Sequence, residues 1–155
     1  PNAIYKAYYY PEFDYLFVEP QPNVIYPEAL WVCGTGMGRP AAPYQTTTSW
    51  NWNSPLDYAP CRLVSPGVYQ FTVYLKNQPD GFGFGTCDFK FFFKRGWWDA
   101  AHEINASEYT VGEPLYGLYV EGKYGNVNGM TTPFEGVYKI TLDMNAKTLT
   151  PVKIN

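Results

Sequence analysis

Three stretches of this 155-residue chain alternate their side chains with a period of two, the period of a strand and not of a helix. In "GVYQFTVYL", residues 67–75, Tyr69, Phe71, Val73 and Leu75 fall on one face. In "CDFKFFFK", residues 87–94, Phe89, Phe91 and Phe93 share a face, with Lys90, Phe92 and Lys94 opposite. In "GVYKITLDMNAKTLTPVKI", residues 136–154, Tyr138, Ile140 and Leu142 alternate before a turn over Asp143 to Lys147, which reads as a hairpin. "LYGLYV" at 115–120 is a further strand candidate, and Asp80-Gly81 supplies turn chemistry between two of the runs. No long helical pattern competes. Six to nine short strands with closely spaced turns predict an all-β fold, a β-sandwich.

Composition supports this reading. The chain carries 15 Tyr, 10 Phe and 5 Trp, which favour strands, and 14 Gly and 14 Pro, which punctuate turns. At this length one domain buries roughly 70% of its unfolded surface and needs no metal or disulfide to hold a core. A net charge of −3 and a pI near 5.1 argue against a nucleic-acid binder, which would present a basic face. No apolar run approaches the roughly 18 residues of a membrane-spanning helix. The chain begins at Pro1 with no signal-peptide pattern, so it is expected to be a mature fragment or a piece cut for expression, with any targeting segment removed. Cys33, Cys61 and Cys87 are widely spaced with no CxxC pair, leaving open one disulfide with a spare thiol or three buried reduced cysteines.

Residues 1–26 form an aromatic-rich segment, two short strands broken by Pro11 and followed by a proline-spaced connector, which could be the end of a preceding module. Residues 27–155 hold the expected sandwich. Its first strand, in "ALWVCGTGMGRP", runs into glycines 34, 36 and 38. No Lys-Ser/Thr and no helix follow them, so the turn reads as a strand-end loop and not a phosphate loop. Residues 40–66 show little periodicity, and a loop of that length in a compact domain is more often functional than decorative.

Catalysis needs a proton-transfer group or nucleophile held by partners. The one histidine, His102, reads as an exposed loop residue with no nucleophile elbow nearby. Asp57, Asp80, Asp99 and Glu103 fall in expected loops, as carboxylates do in any β protein, and no DxDxDG loop suggests calcium. The surplus is aromatic: Tyr44, Trp50, Trp52, Trp97 and Trp98 all fall in expected loops or strand ends. A flat ring accepts the C–H face of a pyranose while neighbouring polar groups bond its hydroxyls, an apolar platform with a few convergent polar groups. "WNWN" interleaves tryptophan with Asn51 and Asn53, and "KRGWWD" flanks Trp97 and Trp98 with Lys94, Arg95 and Asp99. The competing reading puts any one of these tryptophans in the core, and Arg95 in a cation–π contact with a neighbouring ring and no ligand.

These pieces resemble a known family. The glycine-terminated strand "LWVCGTG", the "FKF" strand followed closely by tryptophan, and the closing hairpin of form G-x-Y-K-x-T-x-D-x-x-x-x-T-x-T are similar to the SusE/SusF-type outer-membrane lipoproteins of Bacteroidetes. The resemblance spans residues 28–155 in pieces. It implies an immunoglobulin-like antiparallel β-sandwich that binds starch or another glycan without catalysis. It further implies display on the outer face of the bacterial outer membrane, a lipid anchor in a segment before this chain, and a transporter complex as a possible partner. Trp97 or Trp98 matches the family's tryptophan after the "FKF" strand, and Lys90 the lysine within it. The turn "GTGMGRP" departs from the family's usual Gly-Gly-Trp. The expected ligand set is therefore Tyr44, Trp50, Asn51, Trp52, Lys90, Arg95, Trp97, Trp98 and Asp99, with no cofactor. The alternative is a structural or protein-interaction module, since Tyr, Trp and Arg also anchor protein interfaces.

Overall fold

A computed structural model describes residues 6–11, 15–19, 30–40, 50–52, 58–76, 87–96, 102–120, 123–130 and 134–154. Strands β1 (Lys6–Tyr10) and β2 (Tyr15–Glu19) pair with each other as a two-stranded antiparallel sheet, on either side of Pro11. The remaining strands are β3 (Trp31–Thr35), β4 (Met37–Gly38), β5 (Tyr58–Pro60), β6 (Arg62–Ser65), β7 (Val68–Leu75), β8 (Asp88–Phe92), β9 (Thr110–Val111), β10 (Leu115–Val120), β11 (Lys123–Gly129), β12 (Gly136–Asp143) and β13 (Thr148–Lys153). They build a five-stranded sheet, β10-β11-β8-β3-β5, and a six-stranded sheet, β4-β7-β12-β13-β9, in which β6 also pairs with β7. Every pairing is antiparallel except the short β9–β13 contact, which is parallel. The fold is the all-β sandwich that the period-two runs predict.

Alternation assigns the faces as expected. Phe71, Val73 and Leu75 of β7 and Tyr138, Ile140 and Leu142 of β12 meet Val32, Phe89, Phe91, Leu115 and Val127 of the five-stranded sheet in one core, against which Tyr69 and Phe93 pack. Phe71, Phe89 and Phe91 stand edge-to-face with centroids 5.7–6.3 Å apart, the geometry in which ring quadrupoles attract. The closing hairpin pairs Tyr138 with Lys153 through Asp143 with Thr148, around the expected turn. Asp143 Oδ1 accepts from the backbone N–H groups of Asn145 and Ala146 and so closes that turn.

The glycines after β3 do more than end a strand. Gly36 has a φ of 74°, a left-handed conformation that glycine adopts without a Cβ penalty. There the chain leaves the five-stranded sheet, and β4 pairs with the end of β7 in the other. One short segment thus contributes to both sheets. Gly34 faces the core opposite Phe89, where a Cβ would collide with the Asp88 carbonyl and with Phe89.

Residues 40–66 are not one long loop, because β5 and β6 lie within them. The "KYGNVNG" strand β11 also went unmarked by alternation, its small and amide residues lacking an apolar period. All three cysteines are free and buried, which resolves the alternatives in favour of reduced thiols. Burial pushes the Cys61 thiol far above its ordinary range, and burial together with the charge of Asp88 does the same to Cys87.

Candidate functional site

The central strands β3 and β8 of the five-stranded sheet are buried on both faces, with only Lys90 among their residues part-exposed. Strand pairing sets Trp31 beside Phe92 and Cys33 between Lys90 and Tyr58, all on the face turned away from the main core. Trp31, Cys33, Tyr58 and Phe92 gather there with Trp52 into a second apolar cluster, against which Trp50 packs. Trp52 lies over Tyr58 at 5.5 Å between centroids and meets Phe92 edge-to-face at 5.1 Å. Trp31 meets Tyr58 at 6.1 Å, again edge-on. Contacts of this kind each add about 0.5–1.5 kcal/mol beyond the area they bury.

Further along the same face the sheet carries polar groups. Thr35, Asp88 and Asn128 lie in one cross-strand row, all buried, and Asn128 Nδ2 donates to Asp88 Oδ1 at 3.3 Å. Next to the aromatic cluster, Glu103 adds to the edge of β8 by a bridge opposite Phe92. From there its carboxylate receives Lys90 Nζ at 2.9 Å, with both side chains about seven-eighths buried (13% and 12% exposed). The main chain at His102 and Ile104 extends this edge, Phe93 N–H donating to the His102 carbonyl and Ile104 N–H to the Phe91 carbonyl.

Two arginines tie the aromatic cluster down. Arg39, 3% exposed, donates Nη2 to the Tyr58 carbonyl at 2.9 Å. Arg95, half-buried just beyond β8, donates Nη2 to the Trp52 carbonyl at 3.1 Å, and its guanidinium carbon lies 4.8 Å from the Tyr58 ring centroid. A guanidinium does both at once, because its edge donates while its planar face stacks. The two tryptophan-bearing motifs of the sequence, "WNWN" and "KRGWWD", are therefore joined through Arg95.

The expected ligand residues divide. Trp50 packs on the aromatic cluster, Asn51 follows it in the chain, and Arg95 reaches the Trp52 carbonyl and the Tyr58 ring of the same cluster; all three are half-buried. Trp52 does not form the expected exposed platform: at 8% exposure its ring is spent on Tyr58 and Phe92. Lys90 lies opposite the Phe89/Phe91 face as expected, but Glu103 engages its ammonium. Arg95 makes the cation–π contact that the competing reading allowed, with Tyr58 and not with a tryptophan. His102 is half-buried and its main chain extends β8, in place of the expected exposed loop. Tyr44, Trp97, Trp98 and Asp99 lie outside the described residues.

Sequence reading missed Trp31, Tyr58, Phe92 and Arg39 as parts of this arrangement. A signal existed. "LWVC" and "FKFFF" place apolar residues at successive positions, which in a strand means burial on both faces. Among the described residues no three His, Cys, Asp or Glu side chains gather as metal ligands do, and no helix is long and apolar enough to cross a membrane. Comparison with family models, with curated proteins and with solved structures gave no match.

Proposed function

We propose that this chain is a non-catalytic glycan-binding module whose ligand surface is built around Trp50, Asn51 and the Arg95 turn. The observation that carries the reading is the Arg95 bridge, which sets a half-buried tryptophan and an asparagine beside the residues leading into Trp97 and Trp98. A sugar ring would lay its C–H face on an indole while Asn51 and neighbouring donors bond its hydroxyls. Beneath the indole, Trp52, Tyr58 and Phe92 form a packed floor, so little side-chain ordering is left to be done on binding. The resemblance to SusE/SusF-type lipoproteins points the same way. On that reading the protein is displayed at the outer face of the bacterial outer membrane and holds polysaccharide near a transporter complex. A single module of this kind binds weakly, and tandem copies gain through effective concentration.

A second reading, a protein-interaction module, draws on the β1–β2 hairpin. Its register puts Ala7, Tyr9, Leu16 and Val18 on one face, with Tyr9 60%, Leu16 62% and Val18 41% exposed. Titration with a panel of α-glucans, β-glucans, xylans and host glycans, followed by calorimetry and tryptophan fluorescence, separates the two. Saturable binding of at least one glycan is expected. Silence across the panel, with a protein recovered by pull-down, supports the interaction module instead.

A further inference from the structure

The segment Trp50–Trp52 belongs to no strand, yet it sits against a rigid wall of Tyr58 and Phe92. Arg95 holds its backbone through the Trp52 carbonyl. The guanidinium that makes this bond is itself seated on the Tyr58 ring. Tyr58 in turn is fixed through its own carbonyl by the buried Arg39. This arrangement turns Nη2 of Arg95 toward the protein main chain.

We propose that Arg95 is a positioning residue. It latches the segment carrying Trp50 and Asn51 to Tyr58 of β5 and to the bend at residues 93–96. The ordering of Trp50 belongs to the protein alone. Its effect on affinity rests on the glycan-binding reading above. A lysine keeps the charge but loses the planar fork that stacks and donates together, so it should not restore the latch.

The test uses Arg95→Lys and Arg95→Met in the full chain. Acrylamide quenching of tryptophan fluorescence is measured without glycan, and affinity for the best glycan of the panel by calorimetry. Quenching should rise in both variants, and the rise should shrink in a Trp50→Phe background, where Trp52 is the remaining tryptophan of the latched segment. Affinity should fall about tenfold in both, because a released segment must be ordered again on binding. Unchanged quenching in the variants overturns the latch. Full affinity in Arg95→Lys beside loss in Arg95→Met also overturns it, since that pattern marks a charge touching the ligand. If Arg95→Met does not fold cooperatively, Arg95→Lys decides alone. If the unaltered protein binds no glycan, the glycan reading fails and the quenching comparison still decides the latch.

Discussion

The two sheets of this sandwich share a core but differ on their outer faces. The six-stranded sheet turns Gln70, Thr72, Lys139, Thr141 and Thr150 outward, none of them buried, although Val137 at the start of β12 on the same face is buried; Gln70 Nε2 donates to Thr141 Oγ1 at 2.9 Å. Its strands accordingly alternate cleanly in sequence. The five-stranded sheet buries Trp31, Cys33, Tyr58, Asp88 and Phe92 on its outer face. Its central strands β3 and β8 accordingly read as near-continuous apolar runs. A sheet covered on one side needs only its partner sheet, whereas a sheet covered on both needs non-repetitive chain such as Trp50–Trp52. That covering segment is where the candidate site lies. Irregular chain over a rigid scaffold is the usual place for recognition.

Substitutions can break this comparison in order of effect. Phe89→Ala empties the shared core at a fully buried position and should cost about 3–5 kcal/mol in denaturant unfolding. Binding would then be lost only through unfolding. Glu103→Gln leaves the nearly buried Lys90 ammonium without its carboxylate on the outer face of the five-stranded sheet. A loss of about 2–3 kcal/mol is expected, and Lys90→Met in the same background should recover part of it. Trp50→Ala removes a half-buried ring that packs on the aromatic cluster, so unfolding should shift by about 1–2 kcal/mol, well below Phe89→Ala. Glycan affinity should nonetheless fall by about 2 kcal/mol or more, reversing the pattern of Phe89→Ala.

The smallest effect belongs to the six-stranded sheet. Burial, with the hydrogen bond to the Glu135 carboxylate and its charge, raises the Tyr74 hydroxyl from 10.0 to about 12. A raised acid favours the folded state fully below pH 10, and that contribution is lost as pH climbs through 12. Chemical unfolding between pH 9 and 12 should therefore show an alkaline decline that is shallower in Tyr74→Phe. Burial raises Tyr138 as well, so some slope will remain.

The same contrast explains what the sequence made legible. Alternation in 67–75 and 136–142 located β7, β12 and their core faces, because an outer face in water forces polar residues into every second place. The "FKFFF" run exposed its inner face through Phe89, Phe91 and Phe93. The destination of Phe92 stayed hidden, since its neighbours Trp31, Trp52 and Tyr58 come from three distant segments. Trp52 looked like a ligand platform because asparagines flank it, and local sequence carries no mark of the Tyr58 ring that claims it. Arg39 gave no signal, as its bond to the Tyr58 carbonyl depends on the switch of sheets at Gly36.

Hydroxyl-radical footprinting of the full chain, with and without the best-binding glycan and read by mass spectrometry, tests the central claim most directly. Protection should appear at Trp50 and across residues 93–99, while Trp31 and Phe89 stay unreactive in both states and Tyr9 and Leu16 stay equally reactive in both. Protection confined to Tyr9, Leu16 and Val18 of the β1–β2 hairpin, with Trp50 unchanged, would contradict it.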